Sequence, residues 1–489
     1  MAVRTRMPTR CICLVALLLW LPASGGRVPL AAGVAQKPAG WQAAVDDVFA
    51  KWDRRDSPGC AAAVYQDDKI VYERGYGSAD LEHAIPITPA TVFYAGSVSK
   101  QFTAFAAALA IQQGRLGLDD PIRKHLPELP AYADAVTVRH LVHHTSGLRD
   151  FYTLLSIAGR RQDALFDNAS ILRLTARQTA LNFAPGDDYL YSNTGYALLA
   201  TIVGRATGMP FARFAQEQIF QPLGMSASLF GDDASKLVPG RAYGYTWGPR
   251  GEPRLDTPGG ERVGAGGLFT TVRDLVKWDQ NFYTGKVGGK ALIDRVQTPG
   301  ALNNGEPLTY AWGLQVGQYR GLKVVEHSGS LGGYRAHLAR YPERHVGVAV
   351  LCNLAVITPA SLVQQIADVV VGAGFPRPKP VSSGRGAGAL GAAPETVRSS
   401  GIGAVPDSRE MAGVYVSDEI EATFRVSVRD GRLLLQRDED AEAQPLVPEQ
   451  DAFRFRTLTI RFVRNKESKI EGLLVDAGRV RGIRFHRLQ

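Results

Sequence analysis

Cysteine is nearly absent: the chain has four in 489 residues, and two of them, Cys11 and Cys13, fall within the first 35. That excludes a disulfide-built scaffold. The remaining two, Cys60 and Cys352, either pair in an oxidising compartment or stand apart as buried thiols, because spacing alone does not supply the Cα approach of about 5.5–6 Å that a bridge needs. Apolar runs long enough to cross a bilayer are also missing, since the leading one, Leu14 to Leu21, falls well short of the about 20 residues required. Arg4, Arg6 and Arg10 precede that run and small residues follow at 23–25 and 31–35, the pattern of a signal peptide over residues 1–35. A periplasmic or secreted protein is expected, with no integral membrane part other than an uncleaved signal anchor as the alternative. The cysteines lie before or at the start of the run, which argues against a lipoprotein site.

Acidic residues are absent from the first 35 positions, so the formal charge of +9 overstates the rest of the chain. Without Arg4, Arg6, Arg10 and Arg27 it is +5, and no Lys/Arg run interleaves with aromatics as a nucleic-acid groove requires. No nucleic-acid partner is expected. His140, His143 and His144 lack the glutamate of H-E-x-x-H, so no metal and no cofactor are expected. The surroundings of Ser97 do not fit G-x-S-x-G, which argues against an α/β-hydrolase elbow.

What is present is an α+β pattern. Residues 60–66 and 69–75 read as a β-hairpin across Asp67-Asp68, and a second antiparallel set falls at 322–328, 334–341 and 346–352. Between them the chain is mostly helical, with helices from Ser97 to about Gln113 and from about Thr194 to Thr207, stopped by Gly114 and Gly208. The N- and C-terminal strands are expected to share one antiparallel sheet, flanked by helices and a helical insertion, over residues 36–375. Residues 376–408, rich in Pro, Gly and Ala, read as a linker. Beyond them, 409–489 alternates in short strands, at 422–429, 432–436, 453–456, 460–464, 469–475 and 479–485, as a small antiparallel barrel or sandwich. Deleting 376–489 is expected to leave a soluble catalytic part.

Three short motifs carry chemistry. Ser97-Val98-Ser99-Lys100 stands at a helix start, where unpaired backbone N–H groups favour negative charge on the serine oxygen. Lys100 lies one turn on, within reach of that hydroxyl; the alternative is a serine cap with a solvent-facing lysine. Tyr191-Ser192-Asn193 precedes the next helix, with Tyr191 as a proton relay whose pKa Lys100 lowers and Asn193 as a donor to a substrate carbonyl, or else an asparagine cap beside a core tyrosine. His327-Ser328-Gly329 ends a strand, where glycine permits close approach of a ligand and the N–H of Ser330 completes an oxyanion hole with that of Ser97.

Ser97-x-x-Lys100, Tyr191-x-Asn193 and His327-x-Gly329 resemble, in order and approximate separation, the three active-site motifs of the penicillin-binding and class C β-lactamase superfamily, in its D-alanyl-D-alanine carboxypeptidase, esterase and D-aminopeptidase branch. The stretches 93–104, His144-Thr145-Ser146-Gly147-Leu148, Pro222-Leu223-Gly224-Met225 and Ala265-Gly266-Gly267-Leu268 are similar to that family as well. The resemblance implies a β-lactamase/transpeptidase-like fold and a serine hydrolase acting on small amide, ester or D-amino-acid peptide substrates. Ser97 would be the acylated nucleophile, Lys100 its activator, Tyr191 base and then acid, and Asn193 the positioning donor. His327 and Gly329 would form the third wall. A true β-lactamase or a silent penicillin-binding sensor are the alternatives; lactamases of this type usually carry lysine where His327 stands. Arg335, after the Gly332-Gly333 turn, is the candidate to replace that charge, its ordinary reading being an exposed hairpin arginine.

Overall fold

The computed structural model describes residues 40–161, 167–257, 259, 262–372 and 408–488. Residues 1–35 and nearly all of the 376–408 linker lie outside them.

Six antiparallel strands form the central sheet: β1 (Cys60–Gln66), β2 (Lys69–Tyr76), β3 (Gln315–Tyr319), β4 (Leu322–Leu331), β5 (Tyr334–Tyr341) and β6 (Val346–Cys352), in the order β3-β4-β5-β6-β1-β2. The first hairpin therefore docks against the last strand, as the two separated strand sets led one to expect. β1 reads Cys-Ala-Ala-Ala-Val-Tyr because both of its faces are covered, a continuous small apolar run rather than an alternation. Cys60, Ala62 and Val64 share a core with Val45, Phe49, Leu362 and Ile366, whereas Ala61, Ala63 and Tyr65 join the larger core on the helical side. Cys60 stands directly opposite Cys352 in the β1–β6 register, their Cα atoms 4.0 Å apart, and the two are joined by a disulfide.

The helices that matter to the cleft are α1 (Trp41–Phe49), α2 (Ser99–Gln112), α3 (Phe151–Ile157), α4 (Asn168–Ala176), α5 (Asn193–Thr207) and α6 (Pro359–Val371). Of these, α1 and α6 cover the outer face of the sheet. Every residue of α2 from Ser99 to Ala110 is buried, so the helix is covered on all sides rather than amphipathic, and its alanines let α5 pack closely against it. α2 starts two residues later than the sequence pattern suggests, because Gly96–Val98 forms a 3-10 turn ahead of it. Among the described residues no helix is long and apolar enough to cross a membrane.

The carboxy-terminal part is a nine-stranded antiparallel sheet of β7 (Gly413–Ser417), β8 (Ala422–Arg429), β9 (Arg432–Arg437), β10 (Gln444–Pro445), β11 (Val447–Glu449), β12 (Ala452–Phe455), β13 (Leu458–Arg464), β14 (Ile470–Ala477) and β15 (Val480–Arg487). Its order is β10-β9-β8-β7-β15-β14-β13-β12-β11, and it is curled around Tyr415, Phe424, Leu435, Ile460 and Phe485. That core does not close on itself. It runs on into Phe151, Leu154, Ile157, Ile171 and Leu174 of α3 and α4, so both parts share one apolar cluster. Arg149 and Glu419 form an ion pair across the same boundary, N to O 2.6 Å, with both side chains buried. The expectation of a free-standing catalytic part is corrected by this shared core, to which a linker poor in apolar residues gave no clue.

Candidate active site

The turn Gly96–Val98, the loop before α5 and the end of β4 meet at the mouth of a cleft of about 1050 Å³, lined by Ser97, Tyr191, Asn193, His327, Gly329 and Ser330, among others. Glycine at 329 is required by proximity: a Cβ there would lie 2.0 Å from the carbonyl oxygen of Ala95 and 3.1 Å from the Ser97 nitrogen. The strand thus reaches the serine turn closely enough to set its two backbone amides, those of Ser97 and Ser330, on one rim.

Lys100 is fully buried, and its Nζ sits 3.0 Å from Ser97 Oγ, 2.9 Å from Asn193 Oδ1 and 2.8 Å from the Ala265 carbonyl. Burial holds its amine well below the usual lysine pKa, with Asp150 opposing that shift and Arg479 reinforcing it. In its neutral form, which burial favours, the amine has two N–H donors and one lone pair. The Ala265 carbonyl can only accept. Asn193 Oδ1 must accept too, because the amide is oriented by its Nδ2 donating to Asp150 Oδ2 at 2.8 Å. The lone pair is thereby left for the Ser97 hydroxyl, which is the alignment of a base with its nucleophile.

Asn193 opens α5 but does not cap it; Ser192 does, accepting from Gly195 N. Asp150, the cap of α3, accepts from Thr153 N through one oxygen and from both Asn193 N and Nδ2 through the other. His144 Nδ1 accepts from Ser192 N at 3.1 Å, which places the imidazole proton on Nε2. Its ring lies 4.2 Å from that of Tyr191 and 4.6 Å from that of Tyr310, centre to centre. Asp150 and His144 therefore hold the 191–193 loop from two sides.

Tyr191 departs from expectation. Lys100 Nζ stands over the face of its ring, 4.8 Å from the centre, and burial drives the phenol pKa up; contact with Ser97 and the Arg479 charge act the other way. Tyr191 is therefore a neutral phenol at rest, a proton carrier and not a standing phenolate. Lys100→Ala and Tyr191→Phe are each expected to slow acylation by a fluorophosphonate about a hundredfold or more, the scale of positioned acid–base catalysis. The double variant should be no slower than the worse single one, since both serve one proton path. Multiplicative losses in stopped-flow labelling would contradict a shared path.

His327 is buried and neutral, its pKa pushed down to about 3, chiefly by burial. Nδ1 donates to the Ser328 carbonyl at 2.6 Å, so Nε2 accepts from the Tyr310 hydroxyl at 3.0 Å. Arg335 does not line the cleft. Its Nη1 donates to the carbonyls of Gly332 and Tyr334, at 2.7 Å each, which ties the guanidinium to its own hairpin turn. His140 turns to Thr137, His143 to the Tyr310 carbonyl and His144 to Ser192, so the three histidines do not converge on one point.

A beta-lactamase family model matches residues 44–370, the span that holds all three motifs. The chain belongs to the beta-lactamase family. It is a serine hydrolase of that family. A D-aminopeptidase of Gluconobacter oxydans is 27% identical over 399 residues, covering 81% of this chain and 75% of the relative. Penicillin-binding protein 4* of Bacillus subtilis is 32% identical over 301 residues, covering 58% and 65%. Among solved structures, an octameric penicillin-binding protein homologue from Pyrococcus abyssi superposes with a TM-score of 0.60 at 23% identity, over 91% of this chain and 99% of that one. The D-amino acid amidase of Ochrobactrum anthropi SV3 superposes with 0.59 at 23%, over 68% and 99%. These two establish the fold, α+β with a β-lactamase/transpeptidase core.

Sequence reasoning gave no role in this beta-lactamase-family site to Asp150, Tyr310 and Arg479, which line the cleft, or to His144, buried behind Tyr191. A cap signature at Asp150, two residues beyond the family-like His144–Leu148 stretch, could have drawn notice to Asp150 and His144. Nothing in the local sequence marks Arg479, which enters from the carboxy-terminal sheet.

Proposed function

We propose that the protein hydrolyses small amides and esters of D-amino acids through an acyl-enzyme on Ser97. The observation that carries this reading is the three-partner setting of the buried Lys100 amine, which leaves its lone pair to the Ser97 hydroxyl. Lys100 takes the proton as Ser97 attacks the substrate carbonyl. The oxyanion forms against the N–H groups of Ser97 and Ser330, and Tyr191 carries the proton on to the leaving group. Asn193, with one amide hydrogen committed to Asp150, offers the other to the acyl part of the substrate. Deacylation runs the same path in reverse, with water in place of the leaving group.

The names of the D-aminopeptidase and D-amino acid amidase relatives support the D-configured amide. A neutral His327 gives no fixed charge beside the oxyanion site, which favours amide and ester turnover over that of penicillins and cephalosporins; these acylate Ser97 and leave slowly. Export is part of the proposal, supported by the 1–35 pattern and by the Cys60–Cys352 disulfide, which persists in an oxidising compartment. The test is kcat/KM on a D-alanyl peptide, its L-alanyl counterpart, a nitrophenyl ester and nitrocefin. The D-peptide and the ester are expected to be the better substrates. Nitrocefin turnover tenfold above both, or L-peptide turnover equal to D, would overturn the reading.

A further inference from the structure

The cleft is completed by a part of the chain far from the three motifs. β14 and β15 pair as a hairpin with Ala477 opposite Val480, and its two-residue turn, Gly478-Arg479, lines the cleft together with Ala477 and Thr457. The turn is held there from the catalytic side. Asn182 Nδ2 donates to the Arg479 carbonyl at 3.0 Å, and its Oδ1 accepts from Arg481 N at 2.8 Å, so one side chain clasps both flanks of the turn. Arg149 donates to the carbonyls of Arg481 and Gly482, at 2.9 and 3.1 Å, and Arg481 pairs with Asp188 at 3.3 Å. A surface hairpin with no task in the cleft has no need of this much fixing.

The clasp sets the Arg479 guanidinium on the catalytic tyrosine, its Cζ 4.7 Å from the centre of the Tyr191 ring. Its charge is felt at Lys100, His144, Tyr189 and Tyr191. Among the described residues the cleft wall carries one other formal charge, Asp150, and both oxygens of that carboxylate are already filled by Thr153 and Asn193. No carboxylate among the described residues forms an ion pair with Arg479, although arginines on either side of the boundary, Arg149 and Arg481, are paired. A planar guanidinium over an aromatic ring in the lining of an open cleft, with no ion pair to a carboxylate among the described residues, is a geometry that receives a carboxylate in bidentate fashion.

We propose that Arg479 is the substrate-selecting residue of this enzyme: it binds a free carboxylate on the substrate, so that anionic D-amino-acid peptides are taken in preference to neutral amides and to substrates presenting an ammonium group at this position. The selection rests on the reading of Ser97 as the nucleophile of a D-specific hydrolase, but its binding part can be read without turnover. It also gives the carboxy-terminal sheet a task in the reaction, which the catalytic motifs leave without one.

The test has two arms. In the binding arm, calorimetry on Ser97→Ala protein compares N-acetyl-D-alanine with N-acetyl-D-alaninamide. The carboxylate is expected to bind about ten- to hundredfold more tightly, the scale of one charge-assisted contact, and that ratio is expected to fall to near one in Ser97→Ala/Arg479→Gln, with part of it kept by Arg479→Lys. Raising salt from about 0.05 to 0.5 M should shrink the ratio, as a purely structural role for Arg479 would not. In the kinetic arm, N-acetyl-D-alanyl-D-alanine is compared with its C-terminal amide, and the kcat/KM ratio should follow the same pattern, mainly through KM. Equal binding of acid and amide, or a preference that survives Arg479→Gln, overturns the proposal. Carboxylate binding that depends on Arg479 in a protein whose wild type hydrolyses neither peptide supports it, and overturns the D-peptide reading of the substrate instead.

Discussion

Ser97→Ala is expected to abolish covalent labelling by fluorophosphonate and to lower turnover by about ten-thousandfold or more, the loss seen when a nucleophile is removed from a unit that acts as a whole. The fold should survive. Ser97 sits in the Gly96–Val98 turn, where no side-chain cap bond is made, and its hydroxyl gives up one hydrogen bond to Lys100, worth about 0.5–1.5 kcal/mol. The melting temperature should therefore move by a few degrees at most, and intact-mass spectrometry should find no adduct on the variant. An adduct forming on Ser97→Ala protein at the wild-type rate would move the nucleophile elsewhere. Ser99 is the nearest other hydroxyl in the motif, but it is fully buried and donates to the Gly96 carbonyl at 2.6 Å, so it is in no position to take over.

The second large effect is on folding. Deleting residues 376–489 strips the partner surface from Phe151, Leu154, Leu155, Ile157, Ile171 and Leu174, side chains worth about 1.5–3 kcal/mol each when buried. It also leaves Arg149 without Glu419, and a buried ion pair broken from one side costs about 3–5 kcal/mol. Together these match or exceed the 5–15 kcal/mol by which proteins are stable at all. The truncated chain should aggregate or bind a hydrophobic dye strongly, and a monodisperse, dye-silent product on size-exclusion chromatography would refute the shared core. Glu419→Ala in the full chain is the finer probe, expected to lower thermal stability without touching any group that lines the cleft.

Local signals in the sequence were good guides to local structure. The strands at 334–341, 346–352 and 422–429 fall where alternation and turn residues put them, and the stop at Gly208 closes α5. That 334–341 and 346–352 share one sheet with 60–66 was legible in the two separated antiparallel strand sets. What alternation does not carry is burial on both faces or the meeting of distant charges. Lys100 is a short step from Ser97 along one turn, so its role was legible; Arg479 reaches Tyr191 only because a hairpin nearly three hundred residues later is folded against it. Arg335 was the natural guess for a cleft cation because it is near His327 in sequence, yet the curl of its own turn supplies two carbonyls before any substrate could. The Tyr191 pKa went the other way for a similar reason: proximity to Lys100 is visible in the order of residues, and burial is not.

β1 and β2 emerge early in synthesis but find their neighbour β6 only when residues 346–352 are made, and the rim of the cleft waits for Arg479, nearly four hundred residues after Ser97. Such a topology has high contact order and offers little for the nascent chain to settle into on the way. Catalytic competence is therefore a late event in the life of each molecule. A chain stalled or clipped short of the 470–487 hairpin carries every residue of the three motifs and still lacks one wall of the cleft.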